Sequence, residues 1–173
     1  MKKMDVFVFF WFEKVGDLVP ANVPEDLEEE SQFPYLSVNM KTQASYPGWE
    51  DYDLIRPNMS REERYEYCEA LEAVYDDESE EVSKLLGWAN VIQGTMLRDC
   101  DEMIHHTIRS DDVIIEDWQL LLQLSTVEYG DFSLMFGDCG SVYFYIKKED
   151  LADRNFDNVC LVLVMYVIKY NYA

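Results

Sequence analysis

Residues 118–165 decide the fold, and they read WQLLLQLSTVEYGDFSLMFGDCGSVYFYIKKEDLADRNFDNVCLVLVM. Apolar and polar side chains alternate along 118–124 and again along 132–136, which is the period of two expected of β-strands. Glycines then mark a turn, and the β-branched and aromatic run 142–146 is typical of a returning strand. The stretch therefore predicts at least three antiparallel strands.

The same alternation predicts which side chains of the first of these strands share a face. One face should carry the apolar residues Trp118, Leu120, Leu122 and Leu124. The opposite face should carry Gln119 and Gln123. A buried glutamine would be explained as well by a hydrogen bond to the backbone as by a bound ligand.

Helical patterns lie upstream of this sheet. Ser60 and Glu63 have the spacing of a capping box, and apolar residues recur at helical spacing as far as residue 75. Residues 80–86 predict a second, short helix that stops at a glycine. Residues 96–107 predict a third helix by the same spacing.

Together these elements predict an α+β fold, with two or three helices packed on a mostly antiparallel sheet. A chain of 173 residues fits one domain. We divide that single domain, 1–173, into an acidic, proline-containing loop region 14–58, a helical region 60–108 and a C-terminal antiparallel sheet 113–170. Within the loop region, 34–41 alone alternates like a strand, and the apolar run 5–13 ahead of it predicts a buried first strand.

Charge is the outlying feature of the composition: 35 acidic residues against 14 basic ones, a formal net charge of -21. Such a chain repels phosphate backbones and anionic membranes, so we expect neither direct nucleic-acid binding nor membrane binding. It favours a basic protein partner. The candidate partner-binding residues form two clusters, Glu25, Asp26, Glu28, Glu29 and Glu30, and then Asp76, Asp77, Glu78, Glu80 and Glu81. The alternative is that such a run of acidic residues is only a solvent-exposed face without a binding role.

Targeting and redox signals point to the cytoplasm. The N-terminal apolar run is short and lacks a small-x-small cleavage site, and no segment reaches the roughly 20 apolar residues of a membrane span. The four cysteines show no CxxC pair and do not resemble a small disulfide scaffold. We therefore predict reduced thiols and a cytoplasmic protein.

Catalytic and metal-binding patterns are weak. His105 and His106 are adjacent, so on a helix they point about 100° apart and serve one ion poorly. Cys139 lies in acidic surroundings that raise the pKa of a thiol, and Asp138 beside it suits a turn. Phosphate-binding loops and a Ser-His-Asp order are absent from the sequence. We predict no catalytic residues, no metal and no cofactor.

A cleft near residues 137–140 is the alternative to a protein-binding surface. Trp88, Gln93, Asp138 and Tyr143 would line it if they converged on a concave pocket. The aromatic pair among them is otherwise expected in the core.

Three motifs carry a resemblance to a known family. LLGWANVIQG at 85–94, WQLLLQL at 118–124 and FGDCGSVYFYIKKEDLADRNF at 136–156 resemble the YwqG-like family, a bacterial domain family of unknown function. The resemblance departs where Phe136 replaces a usual Trp and Ala89 a usual Pro. A third departure is that the N-terminal part of the family, in which members usually carry further strands ahead of the position of Asp5, is missing. The resemblance implies an α+β fold with antiparallel sheet and no established activity. An immunity or antitoxin role has been suggested for relatives.

The sequence thus predicts a non-enzymatic acidic binding protein of bacterial or phage origin. An immunity or inhibitor type that engages a basic protein, by nucleic-acid mimicry in one form, fits the charge. The alternative is a small-molecule- or metal-binding domain, with an enzyme among its forms. If the rest of the chain leaves the edge of the first strand exposed, pairing of that edge with a second copy would also favour a homodimer.

Overall fold

The computed structural model describes residues 22, 25, 33–34, 36–74, 83–91, 94–105, 115–137 and 140–165. The chain divides into two units, 1–43 and 44–173; the predicted single domain stays a prediction. In the first unit, the described residues 36–43 are exposed and form neither helix nor strand. The strand predicted for 34–41 was wrong over these residues. Its alternating apolar side chains are uncovered, with Val38 81% exposed, so they lack the buried face that stabilises a strand.

The second unit contains the helices and strands. The helices are α1 (Trp49–Ile55), α2 (Arg61–Val74), α3 (Leu97–His105) and α4 (Lys148–Ala152). The strands are β1 (Lys84–Leu85), β2 (Trp118–Ser125), β3 (Val127–Tyr129), β4 (Phe132–Leu134), β5 (Ser141–Lys147) and β6 (Cys160–Val164). An antiparallel sheet has the order β1-β2-β5-β6, and β3 pairs with β4. The predicted α+β fold is confirmed.

A bulge in β2 changes which residues face the core. Leu120 pairs with Tyr145, but Leu122 pairs with Phe144, so Leu121 is an extra residue in the strand. Because side chains alternate, one extra residue exchanges the two faces beyond it. Gln123, which the alternation predicted on the face opposite the apolar residues, is therefore buried and only 1% exposed. The predicted apolar face holds for Trp118 and Leu120 and is wrong for Leu122 and Leu124, which are half-buried.

The helical predictions fared unevenly. The capping box at the start of α2 is confirmed: Glu63 N–H donates to Ser60 Oγ at 3.2 Å, and Ser60 N–H donates to Glu63 Oε2 at 2.8 Å. The predicted helix 80–86 was wrong at its end, because Lys84 and Leu85 pair with β2. Leu86 has φ of +61°, which a helix cannot continue. Residues 80–82 lie outside the described part of the chain.

Helix α1 was missed altogether, since it lies in the region predicted as loop. Gly48 occupies its N-cap position. The helix packs against α2, where the rings of Tyr52 and Tyr67 stack with centroids 4.1 Å apart. The Tyr67 hydroxyl also donates to the Pro47 carbonyl at 2.8 Å. The tyrosine stack thus joins α1 and α2 into one packed pair of helices.

The core lies between the sheet and the segments that cover it. Its buried members include Ala89, Met96, Leu97, Cys100, Trp118, Leu120, Tyr143, Tyr145 and Cys160. Cys100 of α3 and Cys160 of β6 form a disulfide, with Cα atoms 5.6 Å apart. The prediction of reduced thiols was wrong for this pair, because the packing of α3 on β6 brings together residues that are far apart in sequence. Cys68 is free, and Cys139 lies outside the described residues.

No helix within the described ranges has both the length and the apolar character that crossing a bilayer requires.

Candidate functional site

The exposed face of α2 presents a row of carboxylates around an aromatic ring. Glu62, Glu66 and Glu69 recur at i, i+4 and i+7, so they lie on one face of the helix. They line a shallow depression together with Arg61 and Tyr65. The Tyr65 side chain is 67% exposed. We call these five residues the α2 face.

Arg61 is the one basic member of the α2 face, whereas the neighbouring cations Arg64 and Arg56 are engaged in internal contacts. Arg64 Nη2 donates to both carboxylate oxygens of Asp53, at 3.0 and 3.1 Å, and its guanidinium lies 5.5 Å from the centre of the Trp49 ring. Arg56 Nη2 lies 3.0 Å from Glu63 Oε1. The opposite side of α2 is held against α1 by these pairs and by the tyrosine stack. The carboxylates of the α2 face therefore remain turned to solvent.

The two predicted acidic clusters fall mostly outside the described residues. Glu25 is described and exposed, whereas Asp26, Glu28, Glu29 and Glu30 are not described. Asp76, Asp77, Glu78, Glu80 and Glu81 likewise lie outside, and they begin two residues after α2 ends. Their role in partner binding stays a prediction. The α2 face was not among the sites predicted from the sequence, although the helical spacing of its glutamates is visible in the sequence.

The four residues of the predicted ligand cleft are only partly described. Tyr143 is fully buried, and its hydroxyl donates to the Asn90 carbonyl at 2.7 Å. Trp88 is half-buried, packs against the same core, and donates its backbone N–H to Ser45 Oγ at 2.8 Å. Gln93 and Asp138 lie outside the described residues. Both described residues therefore pack in or against the core, and the cleft itself stays a prediction.

A buried polar network lies beside Tyr143. Gln123 Oε1 accepts from Asn90 N–H at 2.9 Å, and Gln123 Nε2 donates to Ser125 Oγ at 3.3 Å. Ser141 Oγ reaches the same serine oxygen at 3.1 Å. The network fixes the irregular segment around Asn90 to β2 and β5. It confirms that the amide of Gln123 bonds the backbone, and because these groups are satisfied by one another it is structural in character.

Asp51 of α1 is the most unusual titratable group. It is 2% exposed, and its Oδ1 has no hydrogen-bond partner in the described part of the chain. The pKa of Asp51 is raised to about 6. Burial is the largest cause; a hydrogen bond from Thr95 partly opposes it, and the charge of Glu50 adds to it. Burial also raises the pKa of Tyr145 well above its ordinary value, with the charge of Asp51 adding to it. A carboxyl of this kind holds its proton more tightly than an exposed one.

Within the described residues, no group of three or more His, Cys, Asp or Glu side chains comes together in a way that could hold a metal ion. His105 ends α3, and His106 lies outside the described part.

Comparison with known proteins gives one match. The model of a domain of unknown function, DUF1963, matches residues 2–163. That span includes the sheet, the α2 face and Asp51. Neither the curated proteins nor the solved structures contain a significant match.

Proposed function

We propose that this chain, which belongs to the DUF1963 family of domains of unknown function, is a non-enzymatic acidic protein that binds a basic protein partner. The observation that supports the proposal best is the α2 face, where three exposed glutamates surround an exposed tyrosine. A formal net charge of -21 over the whole chain points the same way.

The chemistry of the α2 face suits a partner rich in lysine and arginine. Tyrosine provides a large, stiff contact surface with one polar end, which is why it is frequent among the residues that dominate binding energy. Carboxylates around such a ring attract a basic surface over several ångströms and increase the association rate. The guanidinium of a partner arginine could lie over the Tyr65 ring and pair with Glu69, whose side chain is one helical turn away.

The specific form that we infer is an immunity or inhibitor protein that acts on a basic target, by nucleic-acid mimicry in one form. The acidic clusters 25–30 and 76–81 add to the negative charge of the chain and stay part of the predicted partner-binding set. A cytoplasmic location, a bacterial or phage source and a YwqG-like relationship within the family belong to the same proposal. The source and the family relationship rest on the sequence motifs, and the location rests on the targeting pattern of the sequence alone, because the Cys100–Cys160 disulfide removes the argument from reduced thiols.

The test is capture of partners by the tagged full-length chain from lysate of its own host at low salt, followed by elution in rising salt. The captured protein is then purified, and its dissociation constant is measured against two variants of equal net charge. The first neutralises the α2 face: Glu62→Gln, Glu66→Gln and Glu69→Gln. The second is a matched control that neutralises exposed acids around α4: Glu149→Gln, Asp153→Asn and Asp157→Asn.

We expect the α2-face variant to weaken binding about tenfold at low salt, because three surface charge pairs at a few tenths of a kcal/mol to 1 kcal/mol each are lost. The control should bind within about twofold of wild type, and the difference between the two variants should shrink as salt rises. Equal losses in both variants would assign the effect to overall charge and refute the α2 face. If no basic protein is retained, a screen for ligands that raise the melting temperature tests the alternative cleft near Trp88 and Tyr143.

A further inference from the structure

Asp51 lies in the first turn of α1, and its carboxyl group is buried. Trp49 and Glu50, which precede it in the same turn, are exposed and half-buried respectively, whereas Asp51 is 2% exposed. One of its oxygens has no hydrogen-bond partner among the described residues. An ionised carboxylate in this position lacks the hydrogen bonds that water would give it, so the docked position of α1 is less favourable for the charged form than for the neutral one.

The groups around Asp51 do not compensate its charge. On α1 itself the neighbouring acid is Glu50, which is half-buried and repels it. On β5 the titratable neighbour is Tyr145, and on the loop before α3 it is the uncharged Thr95 hydroxyl that bonds the carboxylate. From α2 the nearby cation is Arg64, which is engaged by Asp53. The short turn Ile115–Asp117, which contacts α1, contributes two exposed acids, Glu116 and Asp117.

We propose that Asp51 is a proton-operated latch: its neutral carboxyl holds α1 docked on the core, and its ionisation favours release of α1. Helix α2 would move with α1, because the Tyr52–Tyr67 stack and the Arg64–Asp53 pair join the two helices. The sheet would stay folded, since its own core is held by β2, β5 and β6. The inference does not depend on the partner proposed above, although the α2 face lies on the moving pair.

The direction of the pH dependence follows from where the proton is held. In the released state Asp51 is exposed and has its ordinary pKa of 3.8, while in the docked state the pKa is about 6. Well below the lower pKa both states are protonated, and well above the higher one both are ionised. Between these two pKa values the released state loses its proton first, so release becomes easier as pH rises through this window, and the change levels off only above the docked-state pKa of about 6. Two units of pKa correspond to a change on the order of 100-fold in the ratio of released to docked chains.

Hydrogen–deuterium exchange of the full chain at pH 4, 5, 6 and 7, corrected for the intrinsic exchange rate, measures this ratio. We expect the opening constant of amides in α1 and α2 to rise on the order of 100-fold across the range, while amides of β5 stay protected. Asp51→Asn keeps the shape without the charge and should flatten the rise to the smaller part contributed by Glu50. The exposed acid of α3 provides the matched control, Asp99→Asn, which should behave as wild type.

A second variant keeps Asp51 in place. Thr95→Val removes the hydrogen bond that lowers the pKa of Asp51, so the rise should move to higher pH. The latch is refuted if the opening constant of wild type does not change with pH, if Asp51→Asn folds and keeps the wild-type rise, or if Thr95→Val leaves the midpoint unmoved. It is refuted as well if β5 loses protection together with α1, because the pH effect would then act on the whole fold.

Discussion

Reduction of the Cys100–Cys160 disulfide should lower the free energy of unfolding by about 4 kcal/mol. The bond joins residues 60 apart in sequence, and it ties α3 to β6 across the core. Cross-linking mainly restricts the unfolded chain, and the loop-closure relation gives about 3 kcal/mol for a 15-residue loop and about 4.7 kcal/mol for a 100-residue loop. A 60-residue separation falls between these values, towards the upper end.

Equilibrium urea unfolding of the same protein, oxidised and reduced, measures this difference without changing a side chain. The midpoint should fall on reduction, and the slope should increase because the reduced unfolded chain exposes more surface. In a melting experiment the change corresponds to a fall of roughly 8–16 °C for a chain of this size. The double variant Cys100→Ala and Cys160→Ala should be insensitive to reductant. The control Cys68→Ala, which changes the free thiol, should keep the full sensitivity of wild type.

Two results would contradict this reasoning in different ways. Alkylation of both Cys100 and Cys160 in unreduced, denatured protein, measured by mass spectrometry, would show that the bond is absent. A bond that is present but whose reduction changes the free energy of unfolding by less than about 1 kcal/mol would show that the loop-entropy argument fails for this chain. The second outcome would indicate that the unfolded chain is already restricted.

The remaining predictions concern the sheet. Gln123→Leu should cost about 1–3 kcal/mol in urea unfolding, because Asn90 N–H and Ser125 lose a buried partner, whereas Gln119→Leu, whose amide bonds only its neighbour's carbonyl, should cost less than about 1 kcal/mol; equal costs would contradict the network. Gly140→Ala should cost several kcal/mol or prevent soluble expression, because the added methyl meets the backbone oxygens of Phe136 and Val164. Gly94→Ala meets no atom within 4 Å and should cost about 1 kcal/mol, despite a φ of +62°; a Gly140→Ala protein as stable as this control would refute the packing argument.

Elements with a clear local period could be predicted from the sequence. α2 and α3 repeat apolar residues at helical spacing, β2 begins with an alternation of period two, and β5 is a β-branched and aromatic run, so a short window suffices to assign them. The capping box at Ser60 even placed the start of α2. Such signals depend only on residues that are near in sequence.

The bulge in β2 had a local signal that the alternation concealed. Three consecutive leucines, at 120, 121 and 122, break the period of two, and the break lies at the register shift. An alternation that continued unbroken past Leu121 would place Leu122 and Leu124 towards the core and Gln123 away from it. Helix α1 had a similar signal, because Gly48 is followed by Trp49 and two acids, although its seven residues are too few for a clear helical period.

Other features depend on tertiary structure and had no sequence signal. The burial of Asp51 depends on where α1 docks, and nothing in the residues beside it shows that a carboxyl will be covered. The disulfide depends on the packing of α3 on β6 over a separation of 60 residues. The hydrogen bond from the Tyr143 hydroxyl to the Asn90 carbonyl likewise joins residues 53 apart in sequence, so no local pattern indicates it.

Salt should distinguish the fold from the proposed binding surface, because two of the ion pairs that support the fold are more buried than the carboxylates of the α2 face. Lys147 Nζ lies 3.4 Å from Asp101 Oδ1 with both side chains largely buried, and it also lies over the Trp118 ring. Arg64 and Asp53 are partly buried as well. Screening acts most strongly on exposed charges, so rising salt should weaken attraction to Glu62, Glu66 and Glu69 before it weakens these pairs. A partner released by salt while the circular dichroism of the chain is unchanged would therefore have been held by surface charge, whereas simultaneous loss of both would mean that salt acts on the fold.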